Sequence, residues 1–331
     1  MDTRLNSLQT WLTETSDLGA FSLQALPGDA SFRRYFRVTH SGGTFIAMDA
    51  PPEREDCRPY VAIARALRAQ GLLSPEIIKA DLKIGFLLIT DFGDRQFLKE
   101  LNHTNAEQLY STALQALMIL KNCSQVEGWS IPLFTADFMF KELLLFQEWF
   151  LEKFLQLELS SAQLKMLSCC FSLLAESAAA QPQVFMHRDF HSANLMLLPH
   201  NRVGILDFQD AFMGPVTYDL VSLLRDCYID WPPAVVQRLA LNYLSELQFA
   251  VSEVEWLRWF DWMGLQRHLK ALLTFSRKFK RDANPNYLQF IPRTLSYIER
   301  SSQEYSEFKE FHLFLQENVL PAMNKASVCV Q

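Results

Sequence analysis

Glycine is scarce in this chain, with 11 residues among 331, and none is arranged as in the common nucleotide-binding loops. Neither G-x-x-x-x-G-K-[ST] nor G-x-G-x-x-G occurs. Both patterns rely on glycine because backbone N–H groups must approach phosphate oxygens closely. The loop at residues 28–34 has a single glycine, so a phosphate-binding role there is favoured by its position more than by its sequence.

Cysteine motifs are missing as well. None of the six cysteines belongs to a C-x-x-C pair or to a cluster with histidine at zinc-ligand spacing. Adjacent Cys169 and Cys170 on a helical segment are poorly placed for a disulfide. We therefore expect reduced thiols and a cytoplasmic location.

Long apolar runs and an excess of positive charge are also absent. No stretch of about 18 apolar residues predicts a transmembrane helix, and Met1–Thr15 lacks the continuous apolar segment of a secretory signal. The net charge of −6 argues against nucleic acid or an anionic membrane as the partner, because phosphate groups attract basic surfaces. The length allows two lobes and a large core.

The most informative stretch that is present runs from His187 to Asn194 and reads H-R-D-x-x-x-x-N. Asp207 follows it at the end of an apolar run. A phosphoryl-transfer site needs these groups: one carboxylate, here Asp189, to accept the proton of an attacking hydroxyl, and an amide and a second carboxylate to hold Mg²⁺ against nucleotide phosphates. Oxygen ligands of this kind suit a hard cation.

The local sequence around these residues predicts a β-hairpin. Leu195–Leu198 and Val203–Phe208 are short apolar runs, and Pro199-His200-Asn201 between them has turn chemistry. A tight hairpin brings Asn194 and Asp207 to the same end, where both can contact one metal ion. A chance H-x-D motif with a surface aspartate is the alternative, and the five-residue step to Asn194 argues against it.

The pattern along the chain predicts an α+β fold with a small N-terminal lobe, residues 1–92, and a larger, mostly helical lobe, residues 93–331. Strands are expected at 35–39, 44–48 and 86–90, with helices at 5–12 and 59–70. Helical spacing then recurs near 105–121, 136–158, 161–180, 216–229, 233–248, 252–280 and 304–318. We expect a nucleotide to lie in a cleft between the lobes.

These residues carry a resemblance to a known family. The chain resembles the aminoglycoside phosphotransferase and choline kinase group, which has a two-lobed protein-kinase-like fold. Further segments are similar to the bacterial anomeric kinases of cell-wall amino sugars; they are Asp29–Arg37, Met48–Glu53, Asp207–Ala211, Gly214–Asp226 and Met263–Lys270. The resemblance implies ATP-dependent phosphorylation of the C1 hydroxyl of N-acetylmuramate or N-acetylglucosamine in peptidoglycan recycling.

The resemblance also implies roles for individual residues. Asp189 is expected to be the catalytic base, and Asn194 and Asp207 are expected to hold Mg²⁺. His187, His191 and Asp219 are expected to support the catalytic loop, although Asp219 has an ordinary helix-terminal role as its alternative. Candidates for the sugar site are Gln209, Asp210, Arg267 and His268, with Lys270 beside them; a solvated loop and a solvated basic helix face are the alternatives.

One departure from the kinase pattern concerns the phosphate-binding lysine. Protein kinases pair a lysine on the second hairpin strand with a glutamate on the next helix. Here the strand position holds Met48 or Asp49, and the helix has no acid. Either the protein binds nucleotide without turnover, or the cation comes from elsewhere, with Arg33 and Arg34 as the favoured donors. A charge-reversed pair between Asp49 and Arg65 is a weaker hypothesis.

The remaining nucleotide contacts are expected from two loops. Gly28 and Ser31 belong to the loop that should cover the phosphates. Ile89 and Asp91 fall at the linker between lobes, where backbone groups should meet the adenine. Although Asp91-Phe92-Gly93 spells the kinase metal motif, it precedes the catalytic loop by about a hundred residues, so metal binding is assigned to Asp207.

Three alternatives to an amino-sugar kinase stay open. The first is a kinase for another small alcohol, such as choline or an aminoglycoside, which shares the chemistry. The second is a nucleotide-binding protein without catalysis, and the third is a structural interaction protein.

Overall fold

The computed structural model describes residues 2–27, 32–247 and 249–329, and this part of the chain divides into two compact units. Unit 1 comprises Met1–Ile131 and Ala193–Ala211; unit 2 comprises Pro132–Ser192 and Phe212–Gln331. Packing thus groups the hairpin with the N-terminal residues. The functional boundary expected at residues 92 and 93 stays a prediction.

Unit 1 is built around an antiparallel sheet with strand order β1-β2-β3-β5-β4. Its strands are β1 (Phe21–Ala25), β2 (Arg34–His40), β3 (Gly43–Asp49), β4 (Ile77–Asp81) and β5 (Phe86–Thr90). Its helices are α1 (Thr3–Thr15), α2 (Arg58–Ala69), α3 (Phe97–Glu100) and α4 (Ala106–Leu120), and the hairpin strands are β7 (Leu195–Leu198) and β8 (Arg202–Ile205).

Alternation along β2 and β3 sends one set of side chains toward α1. Val38 and Ala47, both fully buried, pack with Leu8 and Leu12 of α1 in one apolar cluster. The side chain of Asp2 caps α1 by accepting a hydrogen bond from the N–H of Leu5. The N-terminal helix is therefore part of the core of unit 1.

Unit 2 is mostly helical. Its strands are β6 (Gln183–Met186) and β9 (Phe212–Pro215), which pair antiparallel. Its helices are α5 (Ala136–Phe146), α6 (Ser161–Ala180), α7 (Tyr218–Leu224), α8 (Pro233–Glu246), α9 (Glu253–Asp282), α10 (Ile291–Glu304), α11 (Lys309–Phe314) and α12 (Leu320–Cys329). A π-helical stretch, Gln147–Phe154, continues α5, and another, Leu315–Val319, joins α11 to α12.

Helix α9 is the central element of unit 2. Its apolar residues, among them Leu265, Leu269 and Leu272, share a large buried cluster with residues of α5, α6 and α10. Ser252 caps its first turn by accepting from the N–H of Glu255, and Ala283 ends it in a left-handed conformation. No helix among the described residues is long and apolar enough to cross a membrane.

The sequence predicted most long elements, and the errors are local. The helix expected at 216–229 is shorter and ends at Leu224, and the second hairpin strand ends at Ile205. Strands β1, β4, β6 and β9 and helices α3, α10 and α12 were not predicted from the sequence.

Candidate active site

The end of the hairpin in unit 1 brings Asn194 and Asp207 together, as the sequence predicted. Strands β7 and β8 pair Leu195 with Ile205, and the N–H of Leu206 donates to the carbonyl oxygen of Asn194 at 3.0 Å. The amide Nδ2 of Asn194 lies 3.3 Å from Asp207 Oδ2. Asp207 has a left-handed backbone, with φ of +61°, which is uncommon for a residue with a side chain.

The donor set at this end fits a magnesium ion. It offers carboxylate and amide oxygens, and the described residues contain no group of three or more His, Cys, Asp or Glu that could enclose a metal. Mg²⁺ is commonly held by one or two protein oxygens, with water and substrate phosphates completing the shell. Gln209 contacts the same carboxylate: its Nε2 donates to Asp207 Oδ1 at 2.8 Å.

A cation and an acid of unit 1 form a pair beside this carboxylate. Arg33 lies 2.9 Å from Glu55, and both side chains are mostly buried. Burial lowers the pKa of Arg33, but the charges of Tyr35, Glu55, Asp210 and Asp207 raise it overall. The Arg33 guanidinium therefore lies in the electrostatic field of three carboxylates, one of which belongs to the candidate metal site. Sequence reasoning did not identify Glu55.

The strand register relates the position of Arg33 to the expected lysine position. Tyr35 on β2 pairs with Met48 on β3, at the position where the lysine is expected. Arg33 precedes β2 by one residue and lies two residues before Tyr35. Because side chains alternate along an extended chain, both are expected to project from the same face of the sheet. Burial raises the pKa of Tyr35 to about 12, so its hydroxyl stays neutral.

Asp49 faces the other side, and the hypothesis of a pair with Arg65 is wrong. The fully buried Asp49 carboxylate accepts hydrogen bonds from Arg4 Nε at 2.8 Å and from Arg34 Nε at 3.0 Å; among the described residues it has no bond to Arg65. Arg34 also pairs with Asp2. The Arg34 guanidinium is thus held by two carboxylates. Of the two arginines, Arg33 is therefore the better candidate to donate hydrogen bonds to a phosphate.

The remaining residues expected to bind the nucleotide differ in their placement. Ile89 is buried in β5. The Asp91 carboxylate pairs with Arg37 at 2.7 Å and accepts from the N–H of Gly93 at 2.8 Å, so it closes its own turn. Gly28 and Ser31 lie outside the described residues.

In unit 2, Asp219 holds the backbone of the catalytic loop. Its carboxylate accepts hydrogen bonds from the N–H groups of His187 at 2.6 Å and Arg188 at 2.9 Å. Burial raises the pKa of Asp219 to about 7, against the lowering effect of those two donors. Arg188 has φ of +78°, an uncommon conformation for a residue with a side chain, and the carboxylate bridge stabilises it.

The two histidines of the loop make ring contacts. His187 is fully buried and packs edge-on against Phe190. The ring of His191 packs edge-on against Tyr228. Both positions are consistent with the expected support of the loop.

Asp189 is surrounded by cations. Lys270 Nζ donates to its Oδ1 at 3.2 Å, and Arg267 lies 3.9 Å from the same oxygen. Burial tends to raise the pKa of Asp189, but the charges of Lys270, Arg267, His191 and Arg188 hold it well below its usual range. The carboxylate is therefore ionised at neutral pH, as a proton acceptor must be.

Buried polar side chains continue this cluster. Glu142 accepts from Arg188 Nη2 at 2.7 Å and from Gln266 Nε2 at 3.2 Å. The hydroxyl of Tyr218 and Oε1 of Gln266 are buried without a hydrogen-bond partner among the described residues. Sequence reasoning missed Glu142, although a signal existed: it is an acid within the apolar stripe of α5, next to Leu143.

The predicted sugar-site residues on α9 differ in surroundings. His268 is fully buried; its Nε2 lies 2.9 Å from the carbonyl oxygen of Arg225, and its ring stacks on Tyr297. Burial lowers the pKa of His268 to about 3, so the ring is neutral. These contacts give it a packing role, whereas Arg267 donates to Ser222 and also reaches Asp189.

Comparison with known proteins gives concordant findings. The profile described as the phosphotransferase enzyme family matches residues 22–260. The N-acetylmuramate/N-acetylglucosamine kinase of Neisseria meningitidis serogroup B is 38% identical over 322 residues, which cover 94% of this chain and 95% of that protein.

Solved structures support the fold. An ethanolamine kinase of Plasmodium vivax superposes with a TM-score of 0.66 at 12% identity, covering 88% of this chain and 87% of that one. An ADP-bound aminoglycoside phosphotransferase superposes with a TM-score of 0.60 at 15% identity, covering 90% and 98%. The predicted α+β, protein-kinase-like fold is confirmed.

Proposed function

Since the chain belongs to the phosphotransferase enzyme family and is a small-molecule kinase, we propose that it transfers the γ-phosphoryl group of ATP to the anomeric hydroxyl of N-acetylmuramate or N-acetylglucosamine. The observation that carries this proposal is the pairing of Asn194 with Asp207 at the hairpin end, together with the ionised Asp189 five residues earlier in the chain. The similarity to a kinase of these sugars over nearly the whole chain supports the substrate.

Each group then has a role in the transfer. Asp189 orients the sugar hydroxyl and accepts its proton as the new O–P bond forms. Asn194 and Asp207 would hold Mg²⁺, which when bound neutralises charge on the phosphates. Arg33, aligned by Glu55, contacts phosphate oxygens in place of the lysine. Positioning and electrostatic stabilisation supply the acceleration.

The cellular setting is part of the proposal. We place residues 1–92 in nucleotide binding and residues 93–331 in catalysis and sugar binding. A cytoplasmic location is supported by the free thiols of the described cysteines Cys57, Cys123, Cys169, Cys170 and Cys227. A sugar 1-phosphate made there from a cell-wall sugar would serve peptidoglycan recycling.

A sugar screen tests the proposal. Purified protein with ATP and Mg²⁺ is incubated with the two N-acetylated sugars, glucosamine, an aminoglycoside and choline, and ADP release is measured. Phosphorus NMR then locates the phosphate. We expect turnover with the N-acetylated sugars and a product phosphorylated at C1. Phosphate on another oxygen, or turnover confined to choline or the aminoglycoside, would contradict the substrate assignment, and ATP binding without turnover would indicate a catalytically inactive protein.

A further inference from the structure

Lys270 on α9 contacts the carboxylate proposed as the catalytic base. Its ammonium donates to Asp189 Oδ1 at 3.2 Å, and it lies 5.8 Å from the centre of the Tyr218 ring. An ammonium has three N–H donors. Only the one to Asp189 has a partner among the described residues, so two remain for a ligand.

Its burial makes those two donors significant. The side chain of Lys270 is 13% exposed, whereas that of Asp189 is 35% exposed and accessible to a substrate. Burial lowers the pKa of Lys270, but the charge of Asp189 raises it overall, so the ammonium stays protonated. A mostly buried ammonium with unpaired donors costs free energy, which a bound acceptor would offset.

The neighbouring cations have other hydrogen-bond partners. Arg188 is paired with Glu142 at 2.7 Å. Arg267 donates through Nε to Ser222, and its distance of 3.9 Å from Asp189 Oδ1 is too long for a hydrogen bond. Lys270 is therefore the cation of this cluster best placed to serve a ligand that Asp189 binds.

We propose that Lys270 is the cation on the acceptor side of the transfer, donating first to the sugar oxygen and then to the phosphoryl group that becomes attached to it. This inference rests on the proposed function. As the sugar oxygen bonds to phosphorus, its proton passes to Asp189, and the bond to ADP breaks with its electron pair leaving on ADP. Lys270 remains protonated throughout.

The proposal implies a difference between substrate and product. The acceptor enters as a neutral hydroxyl and leaves as a phosphate ester with about two negative charges at neutral pH. A fixed positive charge stabilises the transition state and product more than the bound sugar. Loss of Lys270 should therefore lower kcat and weaken product binding, and should change the KM of a neutral sugar little.

The test compares Lys270→Met with Lys270→Arg and with Lys280→Met, an exposed lysine on the same helix. With N-acetylglucosamine, we expect Lys270→Met to lower kcat by about 100-fold and to raise the inhibition constant of its 1-phosphate by about 10-fold, with KM changed less than about 3-fold. Lys270→Arg should retain part of the wild-type kcat and part of the affinity for the 1-phosphate, and Lys280→Met should resemble the wild type.

Two results would overturn the inference. An unchanged inhibition constant in Lys270→Met, whatever happens to kcat, would show that the lysine serves only to stabilise Asp189. A loss confined to the KM of N-acetylmuramate would show that it binds the lactyl carboxylate instead. If Lys270→Met does not fold, Lys270→Gln, which keeps a donor without the charge, takes its place. A wild type inactive on both sugars would instead contradict the proposed function.

Discussion

Arg33 and Glu55 form an ion pair of 2.9 Å in unit 1, one residue before β2 and three residues before α2, respectively. The kinase pattern puts the corresponding cation on the second hairpin strand, here β3, and the acid within the following helix. In this chain the cation instead precedes the first hairpin strand, β2, and the acid lies in the loop before α2. We propose that this pair serves phosphate binding, since Met48 occupies the lysine position.

This pair gives the first prediction. Arg33→Met should raise the KM for ATP by about 10- to 100-fold, because a charge-assisted contact to phosphate is lost. Glu55→Gln should raise it less, since the arginine remains but is no longer aligned. ADP release measured at varied ATP concentration gives the KM of both variants. The matched control is Arg54→Met, whose guanidinium lies over Phe32; an equal loss there would refute a specific role for Arg33.

The metal assignment is tested with the two competing aspartates. Asp207→Asn should raise the Mg²⁺ concentration needed for half-maximal activity by about 10-fold or more, because one anionic ligand is lost. Asp91→Asn should leave the Mg²⁺ requirement unchanged, since that carboxylate binds Arg37. Activity is titrated with Mg²⁺ at saturating ATP. The opposite ranking of the two variants would assign the metal to the Asp91-Phe92-Gly93 segment.

Asp189 is expected to be essential for transfer but not for nucleotide binding. Asp189→Asn should lower kcat by about 100- to 10,000-fold, because the proton acceptor is lost while the shape is kept. Binding of a non-hydrolysable ATP analogue, measured by isothermal titration, should be unchanged. Asp137→Asn, which alters an exposed acid paired with Lys141, is the control. Near-normal turnover in Asp189→Asn would exclude it as the base.

The pH dependence should respond to Arg267. Removing a positive charge near Asp189 raises the pKa of that carboxyl, so the ionised form is lost at a higher pH. The acid limb of kcat/KM should therefore move to higher pH in Arg267→Met and less in Arg267→Lys. Because the pKa of Asp189 lies well below its usual range in the wild type, activity should stay level down to about pH 4, the reference carboxyl value, and should fall toward that limit in Arg267→Met. A shift toward lower pH would contradict the electrostatic assignment.

Stability should depend on the buried Asp49. Asp49→Ala is expected to lower the free energy of unfolding by about 3 kcal/mol, because Arg4 and Arg34 lose a buried partner. Urea denaturation followed by circular dichroism measures this change. Asp56→Ala, which removes an exposed partner of Arg58, should cost less than about 1 kcal/mol. Equal losses would show that burial of the carboxylate has no special effect.

The sequence was sufficient to predict the placement of residues that depends on nearby segments of the chain. Asn194 and Asp207 are joined by a short hairpin, so turn chemistry and strand pattern were enough to bring them together. Helix α9 was predicted because a long segment with helical spacing is a strong signal. Asp219 was identified through resemblance, and its two backbone contacts are consistent with that role.

Contacts between distant segments could not be predicted in the same way. Lys270 reaches Asp189 across 81 residues, and Arg4 reaches Asp49 across 45, and neither distance follows from a local pattern. His268 was expected near the sugar as one of several basic residues on a late helix, but neighbouring helical residues point in directions about 100° apart. His268 is buried in the core, whereas Arg267 approaches the carboxylate of Asp189.

The first helix has a practical consequence for handling the protein. Because Asp2 caps α1 and pairs with Arg34, and Arg4 holds Asp49, an affinity tag fused directly ahead of Asp2 would crowd the contacts that anchor β2 and β3. A tag at the carboxyl end, or a long cleavable spacer at the amino end, should preserve them.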